Sequence, residues 1–255
     1  MQKDIQNERY SRLRLILKDQ GLSRLLDSTV MVLGLGGVGS ACAEALARGG
    51  VGNLILIDRD IIEASNINRQ ALAFTSTVGK VKTEVMEQMV AQINPDCLVY
   101  TQQSFLNKDN IDQILGSFPR PDYVIDCIDT VSPKLMVAQW CGRHGIPLLS
   151  AMGAANKLDP QFLRFAYIED TVNCRLSKVM RRECKQRGIQ QLEVLFSTEL
   201  TQLIENPESS AKADTLGSMS YMPPIMGQML AGKVIRRLAS LENYTVTPRV
   251  IDLKE

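Results

Sequence analysis

The sequence predicts an α/β fold built on a doubly wound, mostly parallel, Rossmann-like sheet. Three observations predict it. Short apolar strands alternate with helical segments from Thr29 to Ser150. A glycine turn joins the first of these strands to a helix. Candidate binding residues follow three strands, at the sheet edge where such folds bind their ligands: glycines after the first strand and aspartates after the second and fourth.

Hydrophobic periodicity predicts the elements in order along the chain. Residues 9–26 have the apolar spacing of an amphipathic helix. The next strands are predicted at 30–33, 53–58, 98–102, 123–127 and 146–150, separated by helices at 40–48, 81–93, 108–115 and 133–144. After Gly153 we expect strands at 162–168 and 193–197, helices at 174–187 and 222–241, and a polar loop at 205–217. The pattern indicates a Rossmann-like core at 29–152 and, at 153–255, a substrate-side extension of the same domain with antiparallel strands and helices.

Charge and cysteine usage restrict the class of protein. Lysine and arginine number 29 and aspartate and glutamate 28, so any site for a polyanion must be a local patch. The six cysteines form no CxxC pair, which argues against a zinc ribbon and predicts reduced thiols in the cytoplasm. Residues 1–19 are unlike a signal peptide, and no apolar run reaches the roughly 20 residues that span a bilayer. We therefore expect a soluble cytoplasmic protein without a membrane partner.

The glycine turn has GxGxxG spacing at Gly34, Gly36 and Gly39, with Gly37 inside it. Glycines allow a tight turn and let backbone N–H groups approach phosphates at the start of a helix. Taken alone, this motif is typical of sites for nicotinamide or flavin dinucleotides. Asp58 follows Gly39 by 19 residues and can bind the ribose hydroxyls of either NAD or ATP.

Two later features favour ATP over a dinucleotide. A guanidinium beside side-chain amides suits bidentate phosphate binding, which hydride transfer does not require. Lys82 is predicted in the first turn of a helix, where its charge opposes the helix dipole unless an anion is bound. The polar loop that supplies the guanidinium and the amides contains Asn66, Asn68, Arg69 and Gln70.

Acidic side chains follow the second and fourth strands. A carboxylate near triphosphate oxygens would bind Mg²⁺, which neutralises charge on the leaving pyrophosphate. Asp129, farther along its turn, is the better candidate for this ligand, whereas Asp126 could instead cap backbone N–H groups. Asp60 could bind the nucleotide or cap its own loop.

The motifs found so far, with two more nearby, are Gly34 to Gly39, Asp58-x-Asp60, Ser65-Asn-x-Asn-Arg-Gln70, Val78-Gly79-x-x-Lys82, Ile93-Asn94-Pro95 and Asp126-Cys-x-Asp129. Together they resemble the ubiquitin-activating superfamily of adenylating enzymes, which includes the molybdopterin-synthase and thiamine-pathway adenylyltransferases. The resemblance implies ATP and Mg²⁺ as cofactors, with Asp58 on the ribose and Asp129 serving magnesium and the adenylation step. It also implies that the Asn-Arg-Gln loop and Lys82 bind phosphates. Arg69, Lys82 and Asp129 are the residues we expect to be catalytic.

The segment Arg9-Tyr10-Ser11-Arg12 resembles an N-terminal motif of the same superfamily, Arg-Tyr-x-Arg. In that motif the second arginine crosses a homodimer to the partner's triphosphate. The resemblance therefore implies a homodimer in which Arg12 binds ATP, and it makes 1–28 a dimer and ATP-site helix. The alternative for Arg12 is a salt-bridged helix residue.

The second half of the chain indicates a branch of the superfamily. Ile146-Pro-Leu-Leu, Gly153, Leu158-Asp159-Pro160 and Phe196-Ser197-Thr198-Glu199 resemble the bacterial tRNA threonylcarbamoyladenosine dehydratases. That branch implies ATP-dependent dehydration of threonylcarbamoyladenosine in tRNA to its cyclic form, with Gly153 near the substrate. One alternative is activation of the C-terminal carboxylate of a ubiquitin-like sulfur carrier, with Cys174 or Cys184 taking part. Another is a catalytically idle nucleotide-binding adaptor, against which the intact polar residues argue.

A tRNA substrate requires a local basic surface. Cations at spacings of three and four residues share one face of a predicted helix and could neutralise several phosphates. Leu176, Val179 and Met180 are expected on a different face of that helix, packed inward. An ordinary solvated helix face is the alternative interpretation. The cations are Arg175, Lys178, Arg182 and Lys185, and a second, weaker set is Lys233, Arg236 and Arg237.

Overall fold

In the computed structural model, which describes residues 8–200 and 216–241, seven strands form one sheet. The order across the sheet is β3-β2-β1-β4-β5-β7-β6, and among these strands only β6 and β7 pair antiparallel. The predicted doubly wound, mostly parallel sheet is therefore confirmed. The strands are β1 (Thr29–Leu33), β2 (Asn53–Asp58), β3 (Leu98–Gln103), β4 (Tyr123–Asp126), β5 (Leu148–Ala151), β6 (Leu163–Tyr167) and β7 (Glu193–Ser197).

The helices follow the predicted order, with small shifts at their ends. No end is shifted by more than three residues: α2 begins three residues earlier than predicted, α7 ends three residues earlier and α4 begins three residues later. The late start of α4 arises because Asn107 and Asn110 form a turn ahead of it. Asn107 N–H donates to Oδ1 of Asn110 and Asp109 N–H donates to Oδ1 of Asn107, both at 2.8 Å. Of the predicted loop 205–217, residues 205–215 lie outside the described residues. The helices are α1 (Ser11–Leu26), α2 (Gly37–Arg48), α3 (Lys82–Ile93), α4 (Ile111–Gly116), α5 (Val131–His144), α6 (Arg175–Gln186) and α7 (Met222–Leu238).

The N-terminal helix is interrupted, whereas the sequence predicted a continuous one. Lys18 has φ 57° and ψ 176°, which breaks α1 into two segments. The step from Leu17 to Leu22 is five residues, and in a straight helix at 3.6 residues per turn it would point these leucines to different sides. The break resets the helix phase, so that Leu17, Leu22 and Leu25 are all buried.

Alternating side chains of the central strand β1 pack against helices on opposite faces of the sheet. Val30 and Val32 join a core with residues of α1, α2, α3 and α7, while Met31 and Leu33 join a second core with α4 and α5. Burial on both faces is typical of a central parallel strand. Because β1, β2, β4 and β5 run parallel, their carboxyl ends lie at one edge of the sheet, which we call the carboxyl edge. The opposite edge is the amino edge.

Candidate functional site

The glycine turn brings the start of α2 to the carboxyl edge. Gly34 has φ +85°, a conformation that glycine adopts without strain. A Cβ at Gly39 would lie 1.7 Å from the carbonyl oxygen of Gly34, so the turn requires glycine there. At Gly36, the residue before α2, an added Cβ would have no atom of the described residues within 4 Å, apart from the glycine and its chain neighbours. The first N–H groups of a helix lack intrahelical acceptors, so this open space suits an anion.

Asp58, the last residue of β2, ties the glycine turn to that strand. It is 9% exposed, and its Oδ2 accepts the N–H of Leu35 while its Oδ1 accepts the N–H of Asp60 at 2.7 Å. The sequence suggested a ribose ligand and did not reveal this bracing of the turn. Each carboxylate oxygen can accept a further hydrogen bond, so the bracing leaves acceptor capacity for a hydroxyl.

Lys82 is a buried cation at the first residue of α3. Its side chain is 6% exposed, and its Nζ lies 3.4 Å from Oδ2 of Asp60, which is half exposed and also contacts Arg59 at 3.2 Å. The positive end of the helix dipole adds to the ammonium charge. The long contact with Asp60 leaves a positive site that an anionic ligand would stabilise.

Asn66 shapes the polar loop from within. It is 7% exposed, its Oδ1 accepts the N–H of Glu63 at 3.1 Å, and its carbonyl accepts the N–H groups of Arg69 and Gln70 at 3.1 and 3.0 Å. Gln70 is also 7% exposed, and its Oε1 accepts no hydrogen bond from the residues that the structure describes. A buried amide oxygen without a donor is costly, so a ligand donor at this position would be favourable.

Asn68 and Arg69 are joined to each other and to the segment before α7. Nδ2 of Asn68 donates to the carbonyl of Ser218 at 3.0 Å, and its Oδ1 accepts from Arg69 at 2.8 Å. The Arg69 guanidinium donates also to the carbonyl of Ser65 at 3.0 Å and forms no ion pair within 8–200 and 216–241. Its Cγ lies 3.2 Å from the Cβ position of Gly37, beside the start of α2.

The loop after β4 lies against the glycine turn. A Cβ at Gly34 would be 3.0 Å from the carbonyl oxygen of Cys127 and 3.1 Å from the nitrogen of Ile128. Asp129 is exposed, and its Oδ1 accepts the hydroxyl of Thr130 at 3.1 Å. Asp126 is buried and its Oδ1 accepts the N–H of Ile128 at 3.0 Å, so the capping role is confirmed.

Two residues of this region were missed by the sequence interpretation. Lys134 and Ser150 are completely buried and both contact Asp126. The available signal was a lysine near the start of an otherwise apolar stretch of helix, eight residues after an aspartate at a strand end.

The N-terminal motif is anchored at the far end of α3. Arg9 donates to Oδ1 of Asn94 at 2.9 Å and pairs with Asp96 at 3.0 Å, and the Tyr10 hydroxyl donates to the same Asn94 oxygen at 2.9 Å. Lys82 begins α3 and Asn94 follows its last residue, so 12 residues of helix, about 18 Å long, separate them. Arg12 is exposed and contacts no partner in the described part of the chain. It lies toward the amino edge, away from its own Lys82.

The predicted basic face of α6 is exposed. Within this helix Met180 and Cys184 are buried, while Val179, expected to pack inward, is 36% exposed. That expectation was wrong because Val179 lies within about 60° of helix rotation of Arg175 and Arg182, which are both exposed. A Cβ at Gly153 would lie at ordinary contact distances, 3.8 and 4.0 Å, from Leu176 and Cys174 at the start of the same helix. The exposed cations are Arg175, Lys178, Arg182 and Lys185, of which Arg182 pairs with Glu183 at 2.9 Å.

The second basic set is largely neutralised. Lys233 and Arg237 both pair with Glu193, at the amino end of β7. Burial raises the pKa of Glu193, but the hydrogen bonds from Arg237 and Lys233 outweigh it and the pKa is lowered overall. The amino end of the strand also places this set at the amino edge, so it is the poorer candidate for contact with a substrate.

Neither candidate cysteine is an exposed thiol. Cys174 is 8% exposed and its Sγ accepts the N–H of Ser177 at 3.5 Å. Cys184 is 1% exposed, and burial raises the pKa of its thiol to about 11. At neutral pH Cys184 is therefore a protonated thiol, which disfavours it as a nucleophile.

The described residues contain neither a metal-binding cluster nor a membrane-spanning helix. No cluster of three or more His, Cys, Asp or Glu side chains is arranged to bind a metal ion there. Over the same ranges no helix combines the length and apolarity needed to cross a bilayer.

Known proteins match most of the length of this chain. The ThiF family profile matches residues 9–255. A tRNA threonylcarbamoyladenosine dehydratase of Bacillus subtilis is 38% identical over 240 residues, covering 90% of this chain and 94% of the relative. A molybdopterin-synthase adenylyltransferase of Haemophilus influenzae is 34% identical over 188 residues, covering 71% and 75%.

A solved structure shares the fold over nearly the whole chain. Escherichia coli tRNA N6-threonylcarbamoyladenosine dehydratase, TcdA, in complex with ATP superposes with a TM-score of 0.83 at 29% identity and covers 95% of this chain and 98% of that one. The longer and closer match is thus to the dehydratases rather than to the adenylyltransferase. The chain belongs to the ThiF family and, within it, to the tRNA threonylcarbamoyladenosine dehydratases.

Proposed function

We propose that this enzyme uses ATP to activate the threonyl carboxylate of N6-threonylcarbamoyladenosine in tRNA and dehydrates it to the cyclic form. The observation that carries the proposal is that candidate residues from three separate segments lie around the glycine turn. Asp58 contacts it through Leu35, Arg69 lies beside Gly37, and the loop of Asp129 lies against Gly34. Relatives that match most of the chain are named for this reaction, and one of them has been solved with ATP.

The reaction depends on binding the phosphates of ATP, and the substrate itself supplies both nucleophiles. The carboxylate oxygen attacks the α-phosphorus and pyrophosphate leaves, which gives an acyl adenylate. The neighbouring carbamoyl group then attacks the acyl carbon and closes the ring, AMP leaves and a proton is released from a carbamoyl nitrogen. In this proposal Lys82, Arg69 and the start of α2 stabilise charge on the phosphates, and Asp58 and Gln70 bind the nucleoside. Asn66, Asn68 and Asp60 support those groups.

The residues present fit a magnesium ion shared with the nucleotide. Mg²⁺ is usually bound by one or two carboxylates together with substrate phosphates, and Asp129 offers one exposed carboxylate at the loop against the glycine turn. The ion would neutralise charge on the pyrophosphate as it leaves. Asp129 is the residue that we assign to it.

The deciding experiment compares two carboxylate substrates. Purified tRNA bearing the modification is incubated with enzyme and ATP, and its nucleosides are examined by mass spectrometry for loss of one water molecule. A parallel reaction tests AMP transfer to a carrier peptide that ends in Gly-Gly. Conversion of tRNA, dependent on ATP, is expected; AMP transfer to the peptide with unchanged tRNA would favour the sulfur-carrier alternative.

We further propose that the exposed cations of α6 contact the tRNA backbone. They lie on the helix whose first turn is beside Gly153 and the loop after β5, at the carboxyl edge. Gly153 would then lie close to the modified nucleotide. Phosphate contacts of this kind position a nucleic acid without reading its sequence.

Reversing Lys178 and Lys185 to glutamate is expected to weaken tRNA binding by about 10- to 100-fold at low salt, since two cationic contacts become repulsive. The plot of log affinity against log salt concentration should become shallower, with the magnitude of its negative slope reduced by about 2. Filter binding over a salt series measures both quantities, and ATP binding should not change. The matched control reverses Lys108 and Arg120, two cations outside α6. Equal losses in both variants would move the tRNA surface elsewhere.

We propose a homodimer in which Arg12 reaches the partner's nucleotide. Arg12 is far from its own Lys82, and two apolar residues of the following turn of α1, Leu15 and Ile16, are 65% and 72% exposed. Exposed apolar side chains beside an unpaired arginine are typical of an interface. The division into a dimer helix at 1–28, a core at 29–152 and a substrate-side extension at 153–255 is part of this proposal. So is a cytoplasmic location, where six free cysteines would stay reduced.

A further inference from the structure

A completely buried ammonium lies behind the loop that carries Asp129. Lys134 is in the first turn of α5, and its side chain has 0% exposure. Its Nζ lies 2.9 Å from Oδ2 of Asp126 and donates to the carbonyl oxygen of Ile128 at 2.8 Å. Lys134 therefore contacts the backbone one residue before Asp129.

Asp126 completes this network from the end of β4. Its Oδ1 accepts the N–H of Ile128 at 3.0 Å, and its Oδ2 accepts the hydroxyl of Ser150 at 2.7 Å. Ser150 lies directly opposite Asp126 in the pairing of β4 with β5. Both backbone polar groups of Ile128 are thus bonded to the ion pair, its N–H to the aspartate and its carbonyl to the lysine. These bonds orient the peptide groups on both sides of Ile128. They therefore also set the direction in which the chain enters Asp129.

Stability does not account for this arrangement. A buried ion pair loses the hydration of both charges, and apolar side chains of similar volume commonly stabilise a protein as well or better. The first turn of a helix is also an unfavourable place for a cation. The pair is therefore better explained by the geometry that it imposes on the loop.

Asp129 depends on such support because its side chain is weakly held. The side chain is exposed, and among the described residues its carboxylate accepts only the Thr130 hydroxyl. We propose that Lys134 is a positioning residue, which fixes the peptide groups of Ile128 and thereby aims Asp129 for the adenylation step without touching the nucleotide. The proposal rests on the role given to Asp129 above.

The test separates rate from stability with two variants. Lys134→Met is expected to lower kcat for tRNA conversion by about 30-fold, to leave the KM for ATP within about threefold, and to lower the Tm, because Asp126 loses its cation. Adding Asp126→Asn removes the unpaired charge. The double variant should regain most of the lost Tm and keep the low kcat. A merely structural role of Lys134 would instead restore kcat together with Tm.

Further variants keep every outcome informative. Ser150→Ala removes one hydrogen bond and keeps the ion pair, so its kcat should fall by only about threefold. Near wild-type kcat in the double variant would overturn the positioning role, even if Lys134→Met fails to fold. Asp129→Ala tests the proposed function separately: full activity of that variant would remove the role of Asp129 itself. An inactive Asp129→Ala beside an active double variant would reject the Lys134 inference alone.

Discussion

Replacing Lys82 with alanine is expected to lower kcat for tRNA conversion by about 100- to 1,000-fold, the usual cost of removing one preorganised charge from a reacting phosphate or oxyanion. The ammonium is buried at the start of α3, and its nearest carboxylate among the described residues is 3.4 Å away. Substitution by alanine therefore removes only one long ion pair within the described residues. The free energy of unfolding should change little, because alanine loses the contacts of the aliphatic stem but also removes the desolvation of a buried charge. Single-turnover kinetics and thermal unfolding measure the two effects.

The matched control for this variant is Lys80→Ala, an exposed lysine two residues earlier on the same segment. It should keep wild-type kcat, which excludes a general effect of lost positive charge near the loop. Arg69→Ala should behave like Lys82→Ala, because Arg69 has no carboxylate partner in the described residues and lies beside the start of α2. Near wild-type turnover by Lys82→Ala would contradict the phosphate assignment.

Local sequence pattern was sufficient to predict the strands of the sheet and the polar loops that follow them. The buried strands β1 and β2 are continuous apolar runs, and a parallel sheet places the residues after such runs at one edge. That rule brings Gly34, Asp58 and Asp129 together without any tertiary information. The glycine spacing was informative for a steric reason that the structure makes explicit, since a Cβ at Gly39 would overlap the carbonyl of Gly34.

The remaining features depend on contacts between distant segments. Periodicity assumes a straight helix, so it could not predict the break at Lys18. The Asp126–Lys134 pair requires both groups to be buried in the same place, which neither local pattern indicates. The position of Arg12 likewise depends on the bonds of Arg9 and Tyr10 to Asn94, more than 80 residues away.

Arg12 permits a second prediction with a large effect. Arg12→Ala and Lys82→Ala should each be nearly inactive alone, yet a mixture of the two that exchanges subunits should recover activity. Each mixed dimer would contain one site with both lesions and one intact site. With random exchange of equal amounts, about a quarter of all sites should be intact, by the symmetry of a two-fold dimer. Turnover of modified tRNA, compared before and after exchange, measures the recovery.

The control mixture combines Lys82→Ala with Arg69→Ala, two lesions that the proposal assigns to the same subunit's site. Every site in that mixture carries one lesion, so exchange should restore nothing. Differently tagged subunits that copurify establish that exchange has occurred. An Arg12→Ala and Lys82→Ala mixture that copurifies and stays inactive would place Arg12 in its own subunit's site. Wild-type activity of Arg12→Ala alone would remove it from the reaction. Recovery confined to the first mixture would require the arginine to cross the interface, because the described contacts of Arg9 and Tyr10 anchor it about a helix length from its own Lys82.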